Sequence, residues 1–117
     1  MILYPEEWVR QHIVHYLLQE KNYPISHIAL EKKLTLNGLT KRTDILVFNQ
    51  KGTPEILVEC KATSVKIGQD TFDQIARYNL KLKANYLIVT NGLDHFYCKM
   101  DYDNETYIFL KDIPAYY

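Results

Sequence analysis

A mixed α/β domain, a sheet flanked by helices, is what this chain predicts, and three patterns carry the prediction. Apolar residues recur at helical spacing near the N-terminus and again in mid-chain. Two strongly apolar runs of strand length flank a turn-like stretch, and a further apolar run follows the second helical pattern, as a crossover connection requires. The 117 residues suit one domain, 1–117, and 47% apolar with 24% charged residues suits a packed core rather than disorder.

Pro5, Glu6 and Glu7 read as a helix start, with proline in the first turn and acids at the positive end of the dipole. Trp8, Val9, His12, Ile13, Tyr16 and Leu17 then mark a buried face, and Asn22-Tyr23-Pro24 ends the helix. Ser26 to Leu36 reads as one strand closed by the turn pair Asn37-Gly38. Thr43–Phe48 and Glu55–Ala62 are two further strands joined by Asn49–Pro54 into a hairpin. Gln69 to Leu82 forms the second helix, with Phe72, Ile75, Ala76, Asn79 and Leu80 on one side. Tyr86–Thr90, stopped by Asn91-Gly92, is expected to lie parallel to a neighbour, and strands around Phe96–Met100 and Thr106–Leu110 finish the domain.

Fourteen basic and fourteen acidic side chains balance to zero net charge, which excludes a strongly basic, sequence-blind coat for nucleic acid. No apolar run approaches the length of a membrane span, and the N-terminal residues lack the pattern of a secretion signal. Cys60 and Cys98 stand far apart with no CxxC, which excludes zinc and disulfide scaffolds and points to reduced thiols in the cytoplasm.

The informative feature is charge inside apolar strands. Asp44 precedes Ile-Leu-Val-Phe, and Glu59 and Lys61 close an Ile-Leu-Val run. Such groups are costly to bury unless paired or coordinated. A turn centred between Lys51 and Gly52 sets Asp44 opposite Glu59, Leu46 opposite Leu57 and Phe48 opposite Glu55. Asp44, Glu59 and Lys61 then share one face at one end of the hairpin, an inference that a one-residue slip would destroy. Adjacent carboxylates repel unless a cation neutralises them, and hard oxygen ligands favour magnesium or manganese. A nearby lysine completes a set suited to phosphodiester hydrolysis. An ordinary salt bridge between Lys61 and a carboxylate is the plainer account of a lone Glu-x-Lys; the opposed Asp44 and the apolar setting speak for the site.

With those residues in place, the sequence resembles the PD-(D/E)XK nucleases. Lys41-Arg42-Thr43-Asp44-Ile45-Leu46-Val47, Ile56-Leu57-Val58-Glu59-Cys60-Lys61-Ala62 and Phe72-Asp73-Gln74-Ile75-Ala76-Arg77-Tyr78 are similar to the N-terminal nuclease domain of type I restriction-enzyme motor subunits, in stand-alone form, from Pro5 to about Pro114. The resemblance implies a restriction-endonuclease-like core with a central catalytic hairpin. It implies a metal-dependent endonuclease acting on DNA, with Asp44 and Glu59 as metal-binding acids, the Cys60 backbone carbonyl as a further ligand and Lys61 as the catalytic lysine. Gln74, with Tyr78, matches the Gln-x-x-x-Tyr motif of the RecB-like branch and would position water or phosphate. Glu7 resembles the extra acid that many such nucleases supply, with Glu31 as the competing candidate. Type I motor subunits continue into a helicase engine, so ending at Tyr117 leads to an expectation of no ATP-driven translocation.

The residues alone add some support. Gln74 and Tyr78 lie one helical turn apart, with Asp73 and Arg77 beside them, on a face distinct from the apolar stripe; a solvated polar face is the alternative. Lys41, Arg42 and Lys66, with Lys32, Lys33, Lys81 and Lys83, could form a phosphate-facing rim, and Arg77 and Tyr78 belong to the same expected nucleic-acid surface. His12, His15, His27 and His95 show no metal-ligand spacing. Cys60 should point away from Glu59 as a small buried hydrophobe. A catalytically idle module that binds nucleic acid or a protein is the competing reading. A homodimer or a DNA-binding partner would compensate for the weak grip of a small neutral domain.

Overall fold

The computed structural model of the chain describes residues 5–36 and 38–116. The first helix, α1 (Glu6–Gln19), is followed by a 3-10 turn over Ile25–His27 and by strands β1 (Ile28–Leu30), β2 (Lys33–Leu36), β3 (Leu39–Arg42), β4 (Ile45–Phe48) and β5 (Pro54–Cys60). Then come α2 (Gln69–Leu82), β6 (Tyr86–Thr90), β7 (His95–Asp101) and β8 (Thr106–Leu110). Six strands make one sheet in the order β1-β4-β5-β6-β7-β8, and β2 with β3 forms a separate two-stranded sheet. Among the described residues only β5 and β6 pair in parallel, across the α2 crossover, as expected. Among the described residues no helix is long and apolar enough to cross a membrane.

The helices cover opposite faces of the sheet. Val9, Ile13 and Leu17 of α1 pack on Ile45, Val47, Ile56, Val58 and Cys60. Phe72, Ile75 and Ala76 of α2 pack on Leu46, Leu57, Leu87, Val89 and Cys98. Strands β4, β5 and β6 are therefore buried on both sides, which is why they read as unbroken apolar runs rather than alternating ones.

The region predicted as one strand, Ser26–Leu36, is instead broken. Glu31 adopts a left-handed backbone (φ 51°), so β1 joins the main sheet while β2 leaves it. The register does not slip at this point: Leu30 faces Ile45, Lys33 faces Arg42, and between them Glu31 N–H donates to Asp44 O (3.0 Å) and Thr43 N–H to Lys32 O (2.9 Å). A single bent hairpin thus peels off the sheet at Asp44. Its outer arm, β3, escaped the sequence reading because Thr40, Lys41 and Arg42 carry no apolar alternation. Gly38 has φ +78°, whereas Asn37, its partner in the predicted turn, lies outside the described residues.

Strand β4 pairs with β5 as Ile45–Val58, Leu46–Leu57 and Val47–Ile56, the predicted register. At the turn end the expectation fails: a bulge between Val47 and Phe48 sets Phe48 against Pro54, not Glu55. Asn49 organises that turn, its Oδ1 accepting from Lys51 N–H (3.0 Å) and Thr53 N–H (3.2 Å). The irregularity is confined to the turn, so it leaves the Asp44 end of the hairpin in register.

Buried Asn79 closes the connection from α2 to β6. Its Oδ1 accepts from Ala84 N–H (3.1 Å) and its Nδ2 donates to Ala84 O (3.3 Å), across a helix end at which Lys83 is left-handed (φ 62°). Asn79→Ala should cost about 2 kcal/mol by leaving a buried N–H unpaired. Lys83→Gly, which suits the left-handed position, should hold or raise stability. Urea unfolding of the two variants checks both.

Candidate active site

The site forms where the bent hairpin leaves the sheet. Because β3 turns away, Cys60 N–H loses a ladder partner on that side, and Asp44 Oδ2 replaces it at 2.7 Å. On the other side Lys61 N–H donates to Thr90 O (2.8 Å), which holds the end of β5 to β6. Strand alternation puts Glu59 and Lys61 on the α2 side with Leu57, while Cys60 joins the α1 core. The sequence reading of these three positions, including Cys60 as a buried small residue, matches this placement, and burial pushes the Cys60 thiol pKa up.

Glu59 is the unusual group. Its side chain is 8% exposed, and Oε1 has no hydrogen-bond partner. Lys41 Nζ, reaching in from β3, stands 3.5 Å from Oε1: an ion pair without a hydrogen bond. The same ammonium lies 4.3 Å from the centre of the Tyr78 ring on α2, and the buried Tyr78 hydroxyl is likewise unpartnered. Burial is the main cause that raises the Glu59 carboxyl to about 7; Lys41 and Lys61 oppose the rise, while the charge of Asp44 and a hydrogen bond between the two carboxyls add to it.

A further carboxyl meets Asp44 from α1, and it is Glu6. Burial, the charge of Asp44 and a hydrogen bond to it raise the Glu6 pKa, against the pull of Lys61 and Arg10. Glu7 was the sequence choice for this place, with Glu31 as rival, and neither occupies it. Glu7 accepts from Gln11 Nε2 (3.3 Å) and pairs with Arg10, which also holds Glu31 at 2.7 Å. The reason is helical phase. Glu6 continues the stripe of Val9, Ile13 and Leu17 toward the sheet, whereas Glu7 aligns with Arg10 and Gln11. That stripe was legible, so Glu6 could have been found.

The other expected residues scatter around this centre. Gln74 is exposed on α2, makes no hydrogen bond among the described residues, and lines a shallow recess with Asp70, Thr71, Asp73 and Arg77. Arg42, Lys66 and Arg77 are exposed. Lys41, read from sequence as a phosphate contact, is paired with Glu59 in this structure.

Among the described residues no three His, Cys, Asp or Glu side chains form a cage for a metal ion. Magnesium does not need one, since one or two carboxylates with waters and substrate phosphates usually suffice. Asp44 and Glu59, the latter with an orphaned oxygen, fit that lesser requirement.

The raised Glu59 pKa sets a pH dependence. Below about pH 4.5 the carboxyl is protonated in folded and unfolded chains alike; toward pH 7 the unfolded chain ionises first and folding loses stability, and above 7 the loss is complete. In metal-free protein Glu59→Gln should therefore match wild type at low pH and exceed it above neutrality, by on the order of 3 kcal/mol. Urea midpoints measured in EDTA across that range check the sign.

Residues 5–114 match the family described as Type I restriction enzyme R protein N terminus (HSDR_N). No curated protein matches the sequence. Among solved structures, a fragment of a protein described as an HsdR subunit of a type I restriction enzyme from Vibrio vulnificus YJ016 superposes with a TM-score of 0.69 at 22% identity, over 98% of this chain and 24% of that one. The chain thus spans about a quarter of that fragment and shares its fold. On the extent of the family match, the chain belongs to the type I restriction enzyme R-protein N-terminal family.

Proposed function

We propose that the chain is a magnesium- or manganese-dependent endonuclease of PD-(D/E)XK type that hydrolyses phosphodiester bonds in DNA, working in the cytoplasm. One observation carries the reading: a carboxylate kept inside the sheet, with an oxygen that nothing hydrogen-bonds, beside a second carboxylate and a lysine. A fold under no demand to hold a cation gains nothing from that arrangement. Family membership supplies the polymer, since restriction enzymes act on DNA.

In this reading Asp44 and Glu59, with the Cys60 carbonyl, would hold the ion, and Glu6 would take the role first given to Glu7. The ion, when bound, supplies charge neutralisation at the scissile phosphate and a more acidic water. Lys61 stabilises the negative charge that develops on the phosphoryl oxygens. Lys41, where Glu59 is otherwise neutralised, would offer its ammonium to a backbone phosphate, joined by Arg42, Lys66 and Arg77. Tyr78 supports Lys41 through its ring, and Gln74 orients water or phosphate from the open side.

A second reading has its own observation. Lys41 already stands 3.5 Å from Glu59 Oε1 as a partial counter-charge without any metal, as in a module that keeps the nuclease fold only to bind nucleic acid or a protein. Catalysis separates the two. Asp44→Ala, Glu59→Ala and Lys61→Ala should each lower magnesium-dependent cleavage of plasmid or oligonucleotide by roughly 100-fold or more while the domain stays folded. Gln74→Ala should slow turnover and leave metal binding intact. Cleavage that persists in EDTA, or that Lys61→Ala leaves undiminished, contradicts the nuclease reading; no cleavage of any DNA form, with nucleic acid still bound, selects the idle module.

A further inference from the structure

The two edges of the main sheet are built differently. At one edge β1 has three residues, follows Pro24 and a 3-10 turn, and ends at the left-handed Glu31. Short length and adjacent irregularity are how sheets discourage further pairing. At the other edge β8 spans five residues, Thr-Tyr-Ile-Phe-Leu, with no charge or proline and no bulge in its pairing to β7. Ile108 and Phe109 are 56% and 53% exposed, one on each face of that strand. An uncharged edge with apolar side chains on both faces is a template for another strand.

We propose that β8 pairs with β8 of a second copy of this chain, antiparallel about a two-fold axis through Ile108, to give a dimer with one continuous sheet. The residues complement themselves about that point. Ile108 meets Ile108, Thr106 meets Leu110, and Tyr107 meets Phe109 on both sides of the axis. Phe109 already packs at 5.1 Å on Phe72 and at 5.4 Å on Tyr107 by ring centroids, so an aromatic row on the α2 face would continue into the partner. Just outside the strand, exposed Glu105, at a left-handed turn (φ 52°), stands at the register position of exposed Lys111 of the other copy, twice over. No other centring on β8 makes both the aromatic and the charged pairs. Such an interface is closed and isologous, so it stops at two copies. Its area is that of one short strand, so association should be weak, with a dissociation constant on the order of 100 μM.

The test is sedimentation velocity on the full chain from about 5 μM to 1 mM, in EDTA so that the metal site plays no part. Wild type should shift from monomer to dimer over that range and no further. Ile108→Lys, which opposes two ammonium groups at the axis, should remove the dimer while its urea midpoint shows an intact fold. Glu105→Lys should weaken the dimer about tenfold by facing Lys111, and adding Lys111→Glu should restore it to within about twofold. A monomer at every concentration overturns the proposal. So does a dimer indifferent to Ile108→Lys, a charge reversal that the second swap fails to repair, or growth beyond two copies. Because the readout is mass, these outcomes do not depend on nuclease activity.

Discussion

The register of β4 against β5 is the constraint on which the rest depends. With Leu46 opposite Leu57, every second residue of both strands meets α1 and the others meet α2. A shift of one residue would exchange the two cores and turn Glu59 toward Val9 and Ile13. The turn absorbs its own mismatch in the bulge at Val47–Phe48, so the far end stays in step and Asp44 reaches Cys60 N–H. The departure of β3 then has two effects. It frees the backbone donor that fixes Asp44, and it carries Lys41 back over Glu59.

Glu59 shows the conflict between stability and site. Isolated from water, its carboxylate is costly, and neither lysine removes that cost, since the carboxyl still sits near 7. Lys41 remains more than a third exposed and makes no hydrogen bond to it, so its contribution is that of a screened charge. The charge of Asp44 adds to that cost, and Glu6 in turn stands against Asp44. The arrangement is thus poorly neutralised by the chain's own groups, which is the ground for the proposed divalent ion.

Much of this was legible in the sequence. Strands buried on both faces announce themselves as apolar runs, so β5 and β6 were recognised, and α2 stood out by the period of Phe72, Ile75 and Ala76. The register that brings Asp44 beside Glu59 was read from a turn centred between Lys51 and Gly52; the turn itself differs, and the bulge at Val47–Phe48 restores that register. The break at Glu31 was not legible, because a left-handed glutamate leaves no local signature and the alternation of Ile28, Leu30, Leu34 and Leu36 continues through it. Strand β3 was missed because it is polar and stands off the main sheet. Glu6 was not among the acids weighed, Glu7 and Glu31, although the stripe of Val9, Ile13 and Leu17 carries it toward Asp44. Lys41 could not be placed from sequence, since its contact with Glu59 depends on that same unsignalled bend.

The central claim is that the raised carboxyl of Glu59 and its neighbour Asp44 together hold a divalent cation. A carboxyl near 7 must lose its proton to bind one, so binding releases protons in a pH-dependent amount. Titrating manganese into the protein by calorimetry, in two buffers of different ionisation enthalpy, counts those protons. The account predicts release of about half a proton per ion at pH 7, falling toward zero by pH 9 and absent in Glu59→Gln. Binding that releases no protons at pH 7, or that Glu59→Gln leaves unchanged in affinity and proton count, would contradict it.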